Sequence, residues 1–227
     1  RMDRFRYLRT AFYDAYTGTG WSGSDLRPSA VQGNWIEPTA RTLADPREAE
    51  FRVRTLVPTG VVPVPGDVRR WDRSTGAVPR PTREGGWAVP ASRAAYAGAV
   101  LLPGPEATPG PAVTALPPEL AAVAARPTVG ERTREFVDRV VAAETTDFGR
   151  AEALKRAIAS QARYNLRAPA VPTGADPVDT FLFVSREGYC DLYATAMTVA
   201  ARTAGLPARY VQGFLPDQAN RLPDGTY

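Results

Sequence analysis

Arg186-Glu-Gly-Tyr-Cys-Asp-Leu-Tyr-Ala-Thr-Ala-Met-Thr-Val-Ala-Ala-Arg-Thr-Ala-Gly-Leu-Pro-Ala-Arg-Tyr-Val-Gln-Gly-Phe214 decides how this chain is read. It holds the only cysteine, Cys190. Gly188 stands two residues before it and provides either a close backbone approach or an unusual φ. A helix is expected from about Cys190 to Ala204, with Gly205 as the residue just past its end and Pro207 preventing continuation. Cys190 then falls at or near the first helical position. Unsatisfied N–H groups and the helix dipole there favour a negative sulfur, and thiolate is the reactive form of cysteine. Asp191 also suits the dipole, but its charge opposes a thiolate, so it is expected to face away from the sulfur. Tyr193, Ala194, Met197, Ala200, Ala201 and Ala204 share one side, which suits a central helix approached closely by its neighbours. Arg202 lies on another face and is expected to pair with a carboxylate of the preceding helices. Ala208 to Phe214 reads as a strand, the first of a sheet.

Working outward, two helices precede this segment. Thr128-Val-Gly-Glu131 has capping-box spacing, followed by a stripe of Phe136, Val137, Val140 and Val141. Asp147 is expected to cap a second helix, with Leu154, Ala157 and Ile158 inward and Tyr164-Asn-Leu166 at its end. The pair reads as a helical hairpin that supplies core. The first half of the chain is different. The residues before Gly130 hold 16 of the 22 prolines and all four tryptophans. Glu50 to Val57 alternates, with Phe51, Val53 and Thr55 on one face and Arg52 and Arg54 on the other. Arg4 to Phe12 reads as a strand anchored by Phe5, Tyr7 and Leu8; Val61–Val64 and Asp67–Trp71 are shorter candidates. No internal repeat is visible. The expected organisation is a β-rich region over 1–101, a Pro-rich linker over 102–118 and a mixed domain over 119–227.

Composition limits the function classes. The 227 residues are 44% hydrophobic and 23% charged, as in a globular protein. The net charge is +4, nearly all of it from arginine, since Lys155 is the sole lysine. The basic residues are scattered among acids, so no nucleic-acid partner is expected. No apolar run approaches the ~20 residues that span a bilayer. One cysteine and no histidine leave only carboxylates as good metal ligands, so neither metal nor cofactor is expected. A redox role lacks a resolving cysteine. The absence of histidine also removes the usual base for a thiol nucleophile.

The pattern Gly188-Tyr-Cys-Asp-Leu-Tyr-Ala194, then Arg202, then Gly205-Leu-Pro-Ala-Arg-Tyr-Val-Gln-Gly-Phe214 resembles the transglutaminase-like superfamily, related in fold to papain-like cysteine proteases. Phe181-Leu-Phe183, Tyr164-Asn-Leu166 and the helical hairpin add to the likeness. It is similar above all to bacterial membrane-anchored members, in which transmembrane helices precede an extracytoplasmic β-rich region and a catalytic domain; Tyr13 to Trp21 looks like the start of that region. The resemblance implies an α+β fold and a Cys-His-Asp triad with Cys190 as the catalytic nucleophile. It implies acyl transfer from protein or peptide amides, glutamine among them, through a cysteine thioester: transamidation, deamidation or peptide hydrolysis. It places the chain at the extracytoplasmic face of a bacterial membrane, tethered by segments outside these residues. It puts the histidine and aspartate on strands beyond Tyr227, so the chain is read as a fragment that would be inactive alone. The competing reading is a non-catalytic binding or structural module on the same fold.

Overall fold

The structure is a computed structural model. It describes residues 7–23, 29–31, 34–36, 46–55, 58–75, 78–83, 85–92, 95–102 and 118–215. The expected linker, apart from its ends, and Phe5 lie outside these residues. Strands come first and helices follow, giving the α+β class expected. The chain forms two compact units: Arg1–Phe12, Gly23–Ala107 and Val211–Tyr227 make one; Tyr13–Ser22 and Thr108–Tyr210 make the other.

The first unit is built from short antiparallel strands. β1 (Leu8–Tyr13) is hydrogen-bonded to β14 (Tyr210–Phe214), and β4 (Ser29–Val31) pairs with β5 (Asn34–Ile36). One three-stranded sheet runs β6 (Arg47–Arg54), β11 (Ala95–Leu102), β8 (Asp67–Trp71); another runs β7 (Thr59–Val61), β10 (Trp87–Ser92), β9 (Arg80–Pro81). β11 is central because its small, apolar residues tolerate burial on both faces: Tyr96, Ala97, Ala99 and Val100 are all buried. β6 alternates as its sequence predicts, Phe51 buried and Arg52 and Arg54 exposed. Trp71 meets Phe51, Trp87 and Tyr96 edge-on, with centroids 5.0–5.9 Å apart, a favoured aromatic geometry. β1 corrects one expectation. Tyr7 is 64% exposed, and Phe12, 1% exposed, is the residue that anchors the strand.

The second unit is helical. α2 (Glu131–Val141) and α3 (Asp147–Gln161) form the expected hairpin, with Phe136, Val137, Leu154 and Ile158 buried. Both caps differ from the sequence reading. α2 starts on Gly130, extended and without a side-chain cap, so the Thr128 capping box does not form. α3 is capped by Thr146, whose Oγ1 accepts from Gly149 N at 3.0 Å; Asp147 is the first helical residue. A threonine with extended backbone directs its hydroxyl at the free N–H groups, and Asp147 then complements the dipole.

α5 (Cys190–Thr203) is the central helix of this unit. Ala196, Val199 and Ala200 are fully buried, whereas Tyr193, Ala194, Met197 and Ala204 are half-buried. The innermost line is therefore rotated from the stripe expected, because the helix is covered on several sides. Its C-terminus is a Schellman motif. Leu206 N donates to Ala201 O at 2.8 Å and Gly205 N to Arg202 O at 3.0 Å. Gly205 has φ +84°, which an L side chain adopts only under strain. Gly205→Ala is expected to lower stability by about 1 kcal/mol in urea unfolding; an unchanged midpoint would count against this account. In β14 only Tyr210 is buried, and Val211 to Phe214 are exposed. The alternation expected there is not realised, since the strand has one partner, β1, among the described residues.

Candidate functional site

The approach to Cys190 begins with α4 (Pro177–Asp179). Asp176 caps it: Oδ1 accepts from Val178 N at 2.7 Å and from the Tyr16 hydroxyl at 3.1 Å. Burial first, and the Asp176 charge second, push the Tyr16 phenol well above its ordinary range. The helix continues as a π-helical turn, Thr180–Ser185, which buries Phe181 and Leu182. Gln161 Nε2 donates to the Leu182 carbonyl at 3.0 Å. Arg186 ends the turn in the left-handed region, φ 51°.

Two strands of two residues each follow the turn. β13 (Glu187–Gly188) runs parallel to β12 (Arg163–Tyr164). Arg163 N donates to Arg186 O at 2.9 Å and Asn165 N to Gly188 O at 2.7 Å. Glu187 accepts from Asn165 Nδ2 and Arg163 Nη2, and these bonds hold its carboxyl below the usual range. Gly188 is there for close approach, not for an unusual φ. A Cβ on it would lie 2.8 Å from both Leu192 Cδ1 and Phe181 Cε2. Gly188→Ala is therefore expected to lower stability by about 1–3 kcal/mol, as overpacking does; a neutral variant would show that Phe181 and Leu192 yield freely.

Cys190 is the first residue of α5, as expected, with extended Tyr189 at the N-cap. Leu192 N and Tyr193 N donate to Tyr189 O. The N–H groups of Cys190 and Asp191, one turn earlier in the pattern, have no acceptor inside the helix by its geometry. The thiol is exposed. It thus sits where an incoming carbonyl could meet both sulfur and N–H donors.

Asp191 corrects the sequence reading. Its Oδ1 lies 3.8 Å from Cys190 Sγ, at a distance where the thiol donates to the carboxylate. The same oxygen accepts from the Tyr210 hydroxyl at 3.2 Å. The reason is local. In the first turn of a helix both side chains can fold back over the free end, and the buried phenol draws the carboxylate there. Tyr210 is 5% exposed. Its ring stacks on Trp21 at 5.3 Å and meets Tyr13 edge-on at 5.8 Å. Trp21 Nε1 donates in turn to Thr195 Oγ1 of α5 at 3.0 Å. β2 (Ala15–Tyr16) and β3 (Trp21–Ser22) form the hairpin that carries these rings.

Arg202 also departs from expectation. Its guanidinium does not meet the α2–α3 hairpin. Nε donates to Ala208 O at 2.7 Å and Nη1 to Asp14 O at 2.5 Å, and the group lies over the Trp21 ring. Asp14, itself buried, accepts from Arg209 Nε at 2.8 Å. Burial pushes the Arg202 guanidinium below its ordinary value, and the Asp14 charge acts against that. Arg202 is 2% exposed, so only partners brought into the unit's interior can serve it. The segment around Asp14 does so; the acids of the hairpin face outward.

Comparison with known proteins shows what this chain is similar to. Residues 134–226 match the family model of the transglutaminase-like superfamily. A protein-glutamine gamma-glutamyltransferase of Pseudomonas aeruginosa is 50% identical over 64 residues, which are 28% of this chain and 9% of that protein. The uncharacterized protein YebA of Bacillus subtilis is 35% identical over 86 residues, 37% of this chain and 12% of that protein. The matched segments thus span a small share of either relative. The crystal structure of the periplasmic domain of TgpA from Pseudomonas aeruginosa superimposes with a TM-score of 0.66 at 24% identity, over 95% of this chain and 72% of that one. The same domain bound to ethylmercury gives 0.59 at 23% identity, over 95% and 73%. These two show a shared fold.

Proposed function

Because residues 134–226 are transglutaminase-like, we propose that Cys190 is the nucleophile of an acyl transfer from protein or peptide amides. The observation that carries the reading is the placement of the sole cysteine: exposed, first in α5, and two residues after Gly188, whose backbone packs closely on Phe181 and Leu192. The thiolate attacks the carboxamide carbon of a glutamine side chain. The first-turn N–H groups receive the developing oxyanion. The C–N bond breaks, the leaving nitrogen takes the proton that came off the thiol and departs as ammonia, and a thioester remains. A lysine amine or water then attacks the thioester carbon and returns the sulfur. The first attack needs a proton acceptor. None of the 227 residues is a histidine, so an imidazole acceptor, if one is used, would have to come from outside them.

The same observations frame the rival reading, a non-catalytic module. It is favoured by the lack of histidine and by the carboxylate 3.8 Å from the sulfur. The deciding experiment gives the native, full-length protein a glutamine-rich protein and a dansylated amine. Fluorescent product, together with a hydroxylamine-labile acyl adduct on Cys190 by mass spectrometry, supports acyl transfer. Neither product nor adduct leaves the module. An extracytoplasmic site at a bacterial membrane is part of the same proposal, and the likeness to a periplasmic domain supports it. Among the described residues no helix is long and apolar enough to cross a membrane, so a tether would lie elsewhere. Digestion of the protein by protease added to intact spheroplasts tests this; full protection would overturn it.

A further inference from the structure

We propose that the cleft between α2, the end of α3 and the π-helical turn binds an acidic peptide segment. It goes beyond acyl transfer at Cys190 and does not depend on it. The cleft has a volume of about 360 Å³, in the range of ordinary ligand pockets. Phe136 and Phe183 form its floor, edge to face at 5.8 Å. Arg132, Arg139 and Arg186 surround them, against one carboxylate, Glu135.

Arg132 is partly engaged. It lies over the Phe183 ring at 4.7 Å and 3.6 Å from Asp179. Arg139 and Arg186 make no side-chain hydrogen bond or ion pair among the described residues. Arg186 is the more telling. It is the sole non-glycine residue with positive φ among those described, at 51°. That position ends a helix, where glycine or asparagine sits without strain. Its carbonyl is fixed by Arg163 N at 2.9 Å, so the backbone cannot relax away from it. A strained arginine directly after a π-helical turn holds its guanidinium at the cleft against a conformational cost. Strain of this kind, and π-turns, gather where a chain binds something.

The chemistry of the lining names the ligand class. Guanidinium groups take carboxylates in paired hydrogen bonds. The two phenylalanine rings take an apolar side chain. Glu135 repels a densely charged phosphate but accepts a peptide N–H. An extended segment carrying aspartate or glutamate beside an aromatic residue meets all three.

The test uses fluorescence anisotropy on the Cys190→Ala chain, which separates this result from any on acyl transfer. The probe is a fluorescein-labelled hexapeptide of alternating aspartate and phenylalanine; the control replaces aspartate with lysine. Saturable binding of the acidic peptide is expected, weakened about tenfold or more by Arg186→Gly and likewise by Arg139→Glu, as loss of a charge-assisted contact implies. Arg186→Gly should keep or raise Tm, because it relieves the strain; loss of binding in that variant is then not loss of fold. The proposal fails if the acidic peptide does not saturate, or if the lysine peptide binds equally. It also fails if both variants bind as before, or if inorganic phosphate or phosphatidylglycerol vesicles displace the peptide through the same arginines.

Discussion

Cys190→Ala in the native, full-length protein is expected to lower the proposed amide acyl transfer by about 10³-fold or more. The size follows from the chemistry. Alanine removes the atom to which the acyl group becomes bonded, so only binding and the first-turn N–H groups remain. The fold should not follow the activity. The thiol is exposed, and its one side-chain hydrogen bond among the described residues is the 3.8 Å approach to Asp191. Circular dichroism and Tm are therefore expected to be unchanged. Activity within tenfold of the parent protein would remove Cys190 from the mechanism. On the isolated chain, iodoacetamide gives a simpler check: one adduct, on the sole cysteine, and none in the variant.

Arg202→Met lowers stability by about 2–5 kcal/mol, the cost of removing a donor shared by two buried carbonyls. Two effects oppose each other here. Burial penalises the guanidinium, pushing its protonation equilibrium down, and Nη2 has no hydrogen-bond partner. Yet Nε and Nη1 serve two carbonyls, Asp14 O and Ala208 O. Methionine fills the volume but removes the donor that both oxygens share, while the Asp14 carboxylate keeps its bond from Arg209. Unpaired buried acceptors win this comparison. The measurement is urea unfolding. A loss under about 1 kcal/mol would mean that water reaches the site or that the network is dispensable.

Much of this was written locally. Gly205 and Pro207 mark the end of α5, and Cys190 its start, because caps and stops act within a few residues. Phe51 and Arg52 alternate because a strand edge repeats every two residues. What escaped reading has no local signal. β12 and β13 are two residues long, too short for any period. The partners of Tyr16, Trp21 and Arg202 lie 160, 174 and 188 residues away along the chain. Asp191 was misplaced for another reason: charge logic alone turned it from the sulfur, and the buried Tyr210 hydroxyl that draws it back was out of sight. The Cys190 position was therefore legible and its surroundings were not.

The Tyr13–Ser22 hairpin has a consequence for how the molecule is made. Trp21 is synthesised 174 residues before Thr195, its hydrogen-bond partner. At ordinary translation rates that is a wait of about 10–35 s. Throughout it, Trp21 and Tyr16 have no mature site to enter, and the helix that carries the thiol is among the last parts of its unit to emerge. Closure of this unit is thus a late event with large sequence separation, which slows folding. A piece begun at Pro118 would keep every α-helix among the described residues yet lack the hairpin. Amide exchange in the C-terminal half of α5 should then be faster than in the 227-residue chain; equal protection would show that the helices close without the strand pair made first.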